Sequence, residues 1–559
     1  MPDLHLKHWP EGVPHHLELP EQSIAQNLVS TAARVPDRVA LRYHGGTVTY
    51  AALLDQVERL AGWLQAQGVA KGDRVLLYMQ NAPQYFVGYY AILRADAVVV
   101  PVNPMNREAE LEHLARDTGA RIALCGSELA DHITPLLDQG LLDQVVPAAY
   151  ADMADPAYDI PLPAGLAGLT DSDCSGPGLT PWRQALAENA RPGPHTAAPD
   201  DLCVIPYSSG TTGNPKGCVH THRSAMVTIV GGSTWNPAPD GAVHLATLPL
   251  FHVTGMQNSM SAPIKDGGTV VIMSRWDRTA ACKLIERYRV ERWRSISTMA
   301  IDLVNAPDVD SYDLTSLTAI GGGGAAMPEA VAEKMRALTG LDYIEGYGLS
   351  ETLAATHINP VQRAHLQCLG IPLFDVDSRV IDPHTLEELG PDQPGEIIMN
   401  APQIFQGYWR NPEATTEAFI QIDGKRFFRT GDIALYDEDG YYFMVDRVKR
   451  MINASGFKVW PAEVEALMHR HPGLAEVCIV GRQDPRRGES VKAFAVRLPG
   501  AGDDLTEAAV IAWCKANMAA YKCPRTVEFV DSLPKSGSGK VLWRTLAEQE
   551  ARRAAGDAA

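Results

Sequence analysis

The ten positions 208–217 hold four hydroxyls, three glycines and one lysine. They follow the apolar run 202–205 and precede Val219, Met226 and Val230, which share one helical face. Glycine lets backbone approach a ligand closely, and consecutive N–H groups form a concavity for an anion. The hydroxyls and Lys216 add donors and charge. Ser208, Ser209, Gly210, Thr211, Thr212, Gly213 and Lys216 are therefore candidate phosphate ligands. The spacing is not that of a Walker loop, because no Gly-Lys-Ser/Thr closes it. A Gly/Ser turn joining two elements is the alternative, and the density of donors argues against it.

Three further segments carry groups that a nucleotide could use. Residues 321–324 are four consecutive glycines between a strand-like run at 317–320 and a helix starting near Pro328. Residues 347–352 supply the aromatic Tyr347, the hydroxyl of Ser350 and the carboxylate of Glu351. Thr430-Gly-Asp432 supplies a carboxylate suited to a ribose diol. Near the C-terminus, residues 533–540 present Lys540 on a turn with Pro534, Gly537 and Gly539. Taken singly, each also reads as turn chemistry, a satisfied buried acid or a solvated lysine.

The elements that position these groups alternate short apolar runs with helical periodicity, an α/β pattern. Residues 75–78 and 97–100 read as strands, and Leu53, Val57, Leu60 and Leu64 mark a helix face. Residues 148–201, rich in Ala, Pro, Gly and Asp, read as a long connection or surface insertion. A second punctuation lies at 446–450, followed by Ser455-Gly456 and by Pro461, which opens a helix with Glu463 and Glu465 in its first turns. Strand-like runs at 477–480, 493–496 and 527–530 complete a small α/β unit. The chain of 559 residues thus divides near Lys449 into a large unit, 1–448, and a small one, 449–559.

A formal net charge of -18 disfavours nucleic acid as a main partner, since phosphate contacts need clustered Lys and Arg, and leaves room for a local basic pocket for a phosphorylated small molecule. Nine cysteines without a Cys-x-x-Cys pair read as reduced thiols of a cytoplasmic protein. The first 20 residues lack an apolar run, so no secretory leader is expected. Residues 85–101, the most lipid-like stretch, are interrupted by Arg94 and Asp96 and read as core helix and buried strand rather than a membrane span.

Taken in order, eight segments resemble the adenylate-forming superfamily of acyl-CoA synthetases, aryl-CoA ligases, beetle luciferases and peptide-synthetase adenylation domains. They are 207–217, 248–252, 321–328, 347–352, 407–409, 430–432, 446–449 and 534–540. The resemblance covers roughly residues 24–546 and looks closest to bacterial fatty-acyl or medium-chain acyl-CoA ligases. It implies a large, multi-subdomain N-terminal adenylation domain and a small mobile C-terminal domain. The substrates it implies are ATP, coenzyme A and a carboxylic acid, with Mg2+ as cofactor.

The resemblance also assigns roles. Residues 208–216 would embrace the β- and γ-phosphates, with Thr211 and Glu351 holding Mg2+. Tyr347 would pack on adenine beside Gly322, Gly323, Gly324 and Ala325, with Glu345, Gly346 and Ser350 in the same nucleotide site. Asp432 and Arg447 would hold the ribose. Lys540 would reach the substrate carboxylate and the α-phosphate, with His252 near that carboxylate. Lys449 would be the hinge, and Ser455 and Gly456 would contact CoA. Trp235, His252, Met256, Met299 and Ile320 would line the acyl pocket.

The implied reaction is ligation through an acyl-AMP, releasing AMP and pyrophosphate, on a medium- to long-chain fatty acid; an aryl or aryl-alkyl acid is the alternative. Ser350 stands where threonine is commoner in the family. Met256 stands where some long-chain enzymes carry an aromatic gate, which argues against a gated long tunnel. A non-catalytic nucleotide-binding protein is the alternative from another class, and retention of Lys540 and Glu351 argues against it. A homodimer is a compatible assembly.

Overall fold

The computed structural model describes residues 4–167, 170, 176–208, 215–324, 326–447, 450–454, 457–484, 488–498, 500, 505–535 and 541–556. Its packing forms two units, one of residues 2–377 with 400–428 and one of residues 378–399 with 429–559.

In the first unit the apolar runs become central strands. Arg74–Tyr78, Val98–Pro101, Ile122–Gly126, Gln144–Ala148 and Leu202–Val204 form a parallel sheet, with His220–Thr221 antiparallel at its edge. Val75 and Leu77 enter one core while Leu76 and Tyr78 enter another on the opposite face. Burial on both faces is why these runs do not alternate with polar residues. The helix Tyr50–Ala66 presents Leu53, Val57, Leu60 and Leu64 to the first of these cores, and Thr49 caps its start by accepting from Ala52 N. Pro83–Arg94 is a helix buried along almost its whole length.

A second, nine-stranded sheet carries most of the candidate site. Its middle strands, in spatial order Tyr343–Leu349, Ala319–Gly323, Arg292–Ser295, Val243–Ala246, Thr269–Ile272 and Val39–Tyr43, are parallel. The long helix His222–Trp235 starts with a reciprocal cap, in which Thr221 N donates to Ser224 Oγ and Ser224 N to Thr221 Oγ1, each at 3.1 Å. Residues 148–201 hold little regular structure, chiefly the short helix Trp182–Ala187.

In the second unit, Leu474–Asp484 and Gly488–Arg497 pair antiparallel, with Thr526–Phe529 parallel alongside. Helices Pro461–Met468 and Glu507–Asn517 contribute Val464, Met468, Val510 and Cys514 to the core beside this sheet. Strands Gly395–Asn400, Lys425–Tyr436 and Tyr442–Arg447 share a sheet, and residues 378–399 and 429–447 pack in one unit with the C-terminal part. That packing division differs from the expected pivot at Lys449, which itself lies outside the described residues. No helix among the described residues is long and apolar enough to cross a membrane. Eight cysteines are described, all buried.

Candidate active site

The two legs of the glycine- and hydroxyl-rich loop form a small ribbon. Tyr207 pairs with Gly217 and Ser208 with Lys216, antiparallel. Residues 209–214, which include Ser209, Gly210, Thr211, Thr212 and Gly213, lie outside the described residues. The ribbon is tied to the chain at 407–409: Trp409 N donates to Gly217 O at 2.8 Å and Val219 N to Gly407 O at 3.0 Å. The Tyr207 hydroxyl donates to Asp117, and Trp409 Nε1 donates to Asp117 O at 3.0 Å.

This arrangement joins Lys216 to Glu351 through Tyr408. Lys216 Nζ stands 4.9 Å above the Tyr408 ring, a cation–π contact, and the Tyr408 hydroxyl donates to Glu351 Oε1 at 2.9 Å. Burial and the adjacent Glu351 charge push the Tyr408 phenol well above its ordinary pKa, so it stays a donor. The motif 407–409 was visible in the sequence, but no spacing rule gave Tyr408 this bridging position.

Glu351 sits on the 3-10 turn Ser350–Thr352 after the strand Tyr343–Leu349. The turn is held from several sides. His220 Nε2 donates to Ser350 O at 2.8 Å, Phe405 N to Glu351 O at 2.8 Å, and Leu349 N to Thr352 Oγ1 at 2.8 Å. A carbonyl only accepts, so His220 carries its proton on Nε2. Burial pushes its pKa down to about 4, leaving a neutral ring. Leu353 and Ala354 both have positive φ, 47° and 112°. Such geometry costs about 1–3 kcal/mol per residue and fixes the direction in which the chain leaves Glu351.

The glycine run is required by its neighbours as well as by any ligand. A Cβ at Gly322 would stand 1.8 Å from Ser295 O, and one at Gly323 would stand 2.4 Å from Gly346 O. Gly324 has φ +91°, and Ala325 lies outside the described residues. Glu345 is buried on the adjoining strand and accepts from Met327 N at 2.8 Å and Gln367 N at 2.6 Å. Burial raises its carboxyl to about 7. The structure thus engages Glu345 in bracing the chain after the glycines. Tyr347 is 7% exposed, with its ring edge-on to His357 at 5.8 Å between centroids.

The residues expected around the acyl group do not converge. His252 is exposed, while Met256 is wholly buried in the main core. Trp235 packs edge-on to Trp9 and Phe374. Ile320 lies in a separate core with Trp293, and Met299 packs against that core. The alternation of the strand explains this: Ile320 pairs with Trp293 and points to the same face as it. A cavity does open beside the Glu351 turn, lined by Val227, Gly231, Asn258, Ala355, Phe374 and Gln403.

In the second unit Asp432 is buried and its N–H donates to Thr430 Oγ1 at 3.0 Å, while that hydroxyl donates to Ile397 O at 2.8 Å. Asp432 pairs across the strands with Arg447, whose side chain lies outside the described residues. Lys449, Ser455, Gly456 and Lys540 lie outside them too.

A family model for an AMP-binding enzyme matches residues 28–409, and one for the AMP-binding enzyme C-terminal domain matches residues 463–540. A long-chain-fatty-acid–CoA ligase of Bacillus subtilis (strain 168) is 32% identical over 98% of this chain and 98% of its own. A feruloyl-CoA synthase of Amycolatopsis sp is 35% identical over 92% and 96%. The crystal structure of ATP-bound MatB from Rhodopseudomonas palustris superposes with a TM-score of 0.82 at 26% identity, covering 94% of this chain and 99% of that one.

Proposed function

The chain belongs to the AMP-binding enzyme family, and on that premise we propose that it joins a carboxylic acid to coenzyme A through an acyl-adenylate. In the first step a carboxylate oxygen attacks the α-phosphorus of ATP and pyrophosphate leaves. In the second the CoA sulfur, its proton lost to solvent, attacks the acyl carbon and AMP leaves with the bonding pair. A carboxylic acid, with an ordinary pKa near ~4, is already ionised at neutral pH, so the first step needs no general base. It needs two anions aligned and their charge neutralised.

The observation that carries this reading is the Lys216–Tyr408–Glu351 array beside the ribbon that closes the loop. It sets a cation for the phosphates and a carboxylate for a metal on either side of one rigid phenol. In this reading residues 208–216 hold the β- and γ-phosphates, the glycine strand and Tyr347 form the adenine floor, and Asp432 with Arg447 binds the ribose. Lys540 bridges the carboxylate and α-phosphate, and Lys449 is the pivot that exchanges the two half-reactions.

Mg2+ suits the residues present. Among the described residues no group of three or more His, Cys, Asp or Glu gathers to hold a metal. A hard cation that takes one or two carboxylates and completes its shell with phosphate oxygens and water fits Glu351, with Thr211 from the loop. When bound it neutralises charge on the phosphates as pyrophosphate departs.

The relatives are named for long-chain fatty acids and for ferulate. We therefore keep the acid at an extended hydrocarbon or aryl-alkyl carboxylic acid, with the cytoplasm as the compartment that supplies ATP and CoA. Pyrophosphate release measured with and without acid, and thioester formation with and without CoA, tests the proposal. ATP cleavage that ignores the acid, or an acyl-AMP that never becomes a thioester, would sink it.

A further inference from the structure

The strand Arg292–Ser295 lies inside the nine-stranded sheet, yet it alternates two cations with a tryptophan. Its register pairs Arg292 with His244 and Arg294 with Ala246 on one side, and Arg294 with Gly321 on the other. Arg292, Arg294, His244 and Gly321 therefore share one face of the sheet, while Trp293, Leu245 and Ile320 occupy the opposite, apolar face. The cationic face looks into a cavity closed by the end of helix His222–Trp235, by the π-helix Gly255–Ser261 and by the helix Ala262–Asp266. The cavity is small and partly open to solvent.

No carboxylate in the described residues neutralises these guanidinium groups. Arg294 makes no side-chain hydrogen bond or ion pair among them, and its Nη1 stands where a Cβ on Gly321 would come within 3.0 Å. Arg292 donates from Nη1 to Asn236 Oδ1 at 3.0 Å and from Nη2 to Pro237 O, both neutral acceptors. Asp266 itself lines the cavity and Glu291 directly precedes Arg292 in the chain, and both acids are otherwise engaged. Asp266 pairs with Lys265 at 2.5 Å and accepts from Ser233 Oγ at 2.6 Å, and Glu291 Oε2 accepts from Val243 N at 3.1 Å.

Burial pushes Arg294 down to about 10, with Arg292 adding to the effect. Burial, then the two arginines, hold His244 neutral at about 3. Arg292 Nε, Asn236 Nδ2 and Ser259 Oγ are buried in the walls without a partner among the described residues. These atoms are closed off within the walls, so the group that meets the cavity is the Arg294 guanidinium, and a cation without a partner calls for an acceptor that carries charge.

Two features tie the cavity to the adenylation site. Gly321 is the first of the four consecutive glycines, so Arg294 lies against the strand read above as the adenine floor. Asn258, on the π-helix, lines both this cavity and the one beside Ala354 and Ala355, just after Glu351. Short π segments recur at functional sites because they break the regular side-chain register.

From this geometry we infer that the acid activated here carries a second anionic group at the far end of its tail, a carboxylate held by Arg294 with Arg292 behind it. The inference rests on the ligase reading above and narrows its substrate to α,ω-dicarboxylic acids. Bidentate pairing of guanidinium with carboxylate supplies the recognition. A methyl or phenyl terminus of the same length leaves the Arg294 guanidinium without an acceptor, and a site built for a polar group rejects such analogues strongly.

The test uses the full-length enzyme and three series of matched chain length: α,ω-dicarboxylic acids, their monomethyl esters and the corresponding monocarboxylic acids. Pyrophosphate release and CoA thioester are both measured. The expected result is a kcat/KM for the best diacid at least about tenfold above its half-ester and monoacid. Arg294→Met should cut the diacid at least about tenfold and raise the half-ester relative to it, while Arg294→Lys retains part of the diacid preference. Monoacids and half-esters turned over as well as diacids by the unaltered enzyme would overturn the inference and leave the ligase reading standing. That comparison needs no variant to fold. If no acid in any series releases pyrophosphate, the inference falls, and the ligase reading falls too only if aryl-alkyl acids also fail in the same assay.

Discussion

The Tyr408 hydroxyl donates to Glu351 Oε1 at 2.9 Å while its ring lies under the Lys216 ammonium. One side chain thereby sets the position of a cation on the loop ribbon and of a carboxylate on a different strand's turn. Removing the hydroxyl alone, in Tyr408→Phe, keeps the ring under Lys216 and frees Glu351. A hydrogen bond to a charged group contributes about 1.5–3 kcal/mol. Pyrophosphate release should fall roughly 10- to 100-fold, with the Mg2+ concentration for half-maximal rate shifted upward. An unchanged metal dependence would remove Tyr408 from the metal's surroundings.

Glu351→Gln preserves size and can still accept from Tyr408, but it lacks the charge. If the carboxylate holds the metal that neutralises the phosphates, the loss belongs to the transition state, about 3–4 kcal/mol by analogy with other electrostatic stabilisers. Steady-state kinetics should show kcat for adenylation down by two to three orders of magnitude, with a melting temperature within a few degrees of the parent. A comparable loss of folding stability would mean that Glu351 acts mainly as a brace.

Lys540→Ala should abolish adenylation and leave thioester formation from supplied acyl-AMP largely intact, because only the first half-reaction develops charge between carboxylate and α-phosphate. The two half-reactions can be assayed separately. Equal loss in both would refute the role.

Lys449→Pro should spare adenylation and block the thioester step, since proline fixes φ where a rotation is required. Overall turnover equal to that of the parent would count against a pivot there.

The pH dependence of stability follows from buried imidazoles. His220 is held at about 4, His222 at about 4 and His357 at about 3, each chiefly by burial. Their unfolded value is ~6.5. The unfolded chain thus binds more protons as pH falls below 6.5, and stability is lost on acidification through that window. For His220 alone the full effect, complete below pH 4, is of the order of 3 kcal/mol. Glu345 acts in the opposite sense: raised to about 7, it loses stability as pH rises from ~4.5 to 7. His244, at about 3, acts with these imidazoles, and Glu128, also raised to about 7 by burial, acts with Glu345. With four imidazoles against two carboxyls, the urea midpoint should fall from pH 6.5 to pH 5. His220→Gln should make that fall shallower, because the amide keeps a donor for Ser350 O and cannot titrate.

Where burial is uniform, the sequence was easy to read. Residues 75–78 and 97–100 are apolar because both faces of their sheet are covered, and Pro461 opens a helix where its missing N–H costs nothing. The legs of the glycine loop were legible from composition, since few other structures need so many small and hydroxylated residues together. Tyr408 was not, because its role depends on Lys216 and Glu351 arriving from distant parts of the chain. Ile320 was expected at a ligand and lies in a core, as apolar residues on a two-faced strand usually do, while Met299, on the helix Ser297–Val304, packs against that core. Arg292 and Arg294 were passed over for the converse reason. Charged residues in a short run ordinarily face water, and only the register with two parallel neighbours, Val243–Ala246 and Ala319–Gly323, sets these on the face of a covered sheet.

The alternation within Arg292–Ser295 has a consequence for how this protein can change. A point substitution at Arg294 alters what the cavity accepts and leaves the opposite core alone. A one-residue insertion or deletion in the same strand would exchange the faces, driving both guanidinium groups into the tryptophan core and the indole into the cavity. Variation in the preferred acid is therefore open to single replacements here and closed to changes of length. Among relatives of this chain, the strand should drift in chemistry while its residue count stays fixed.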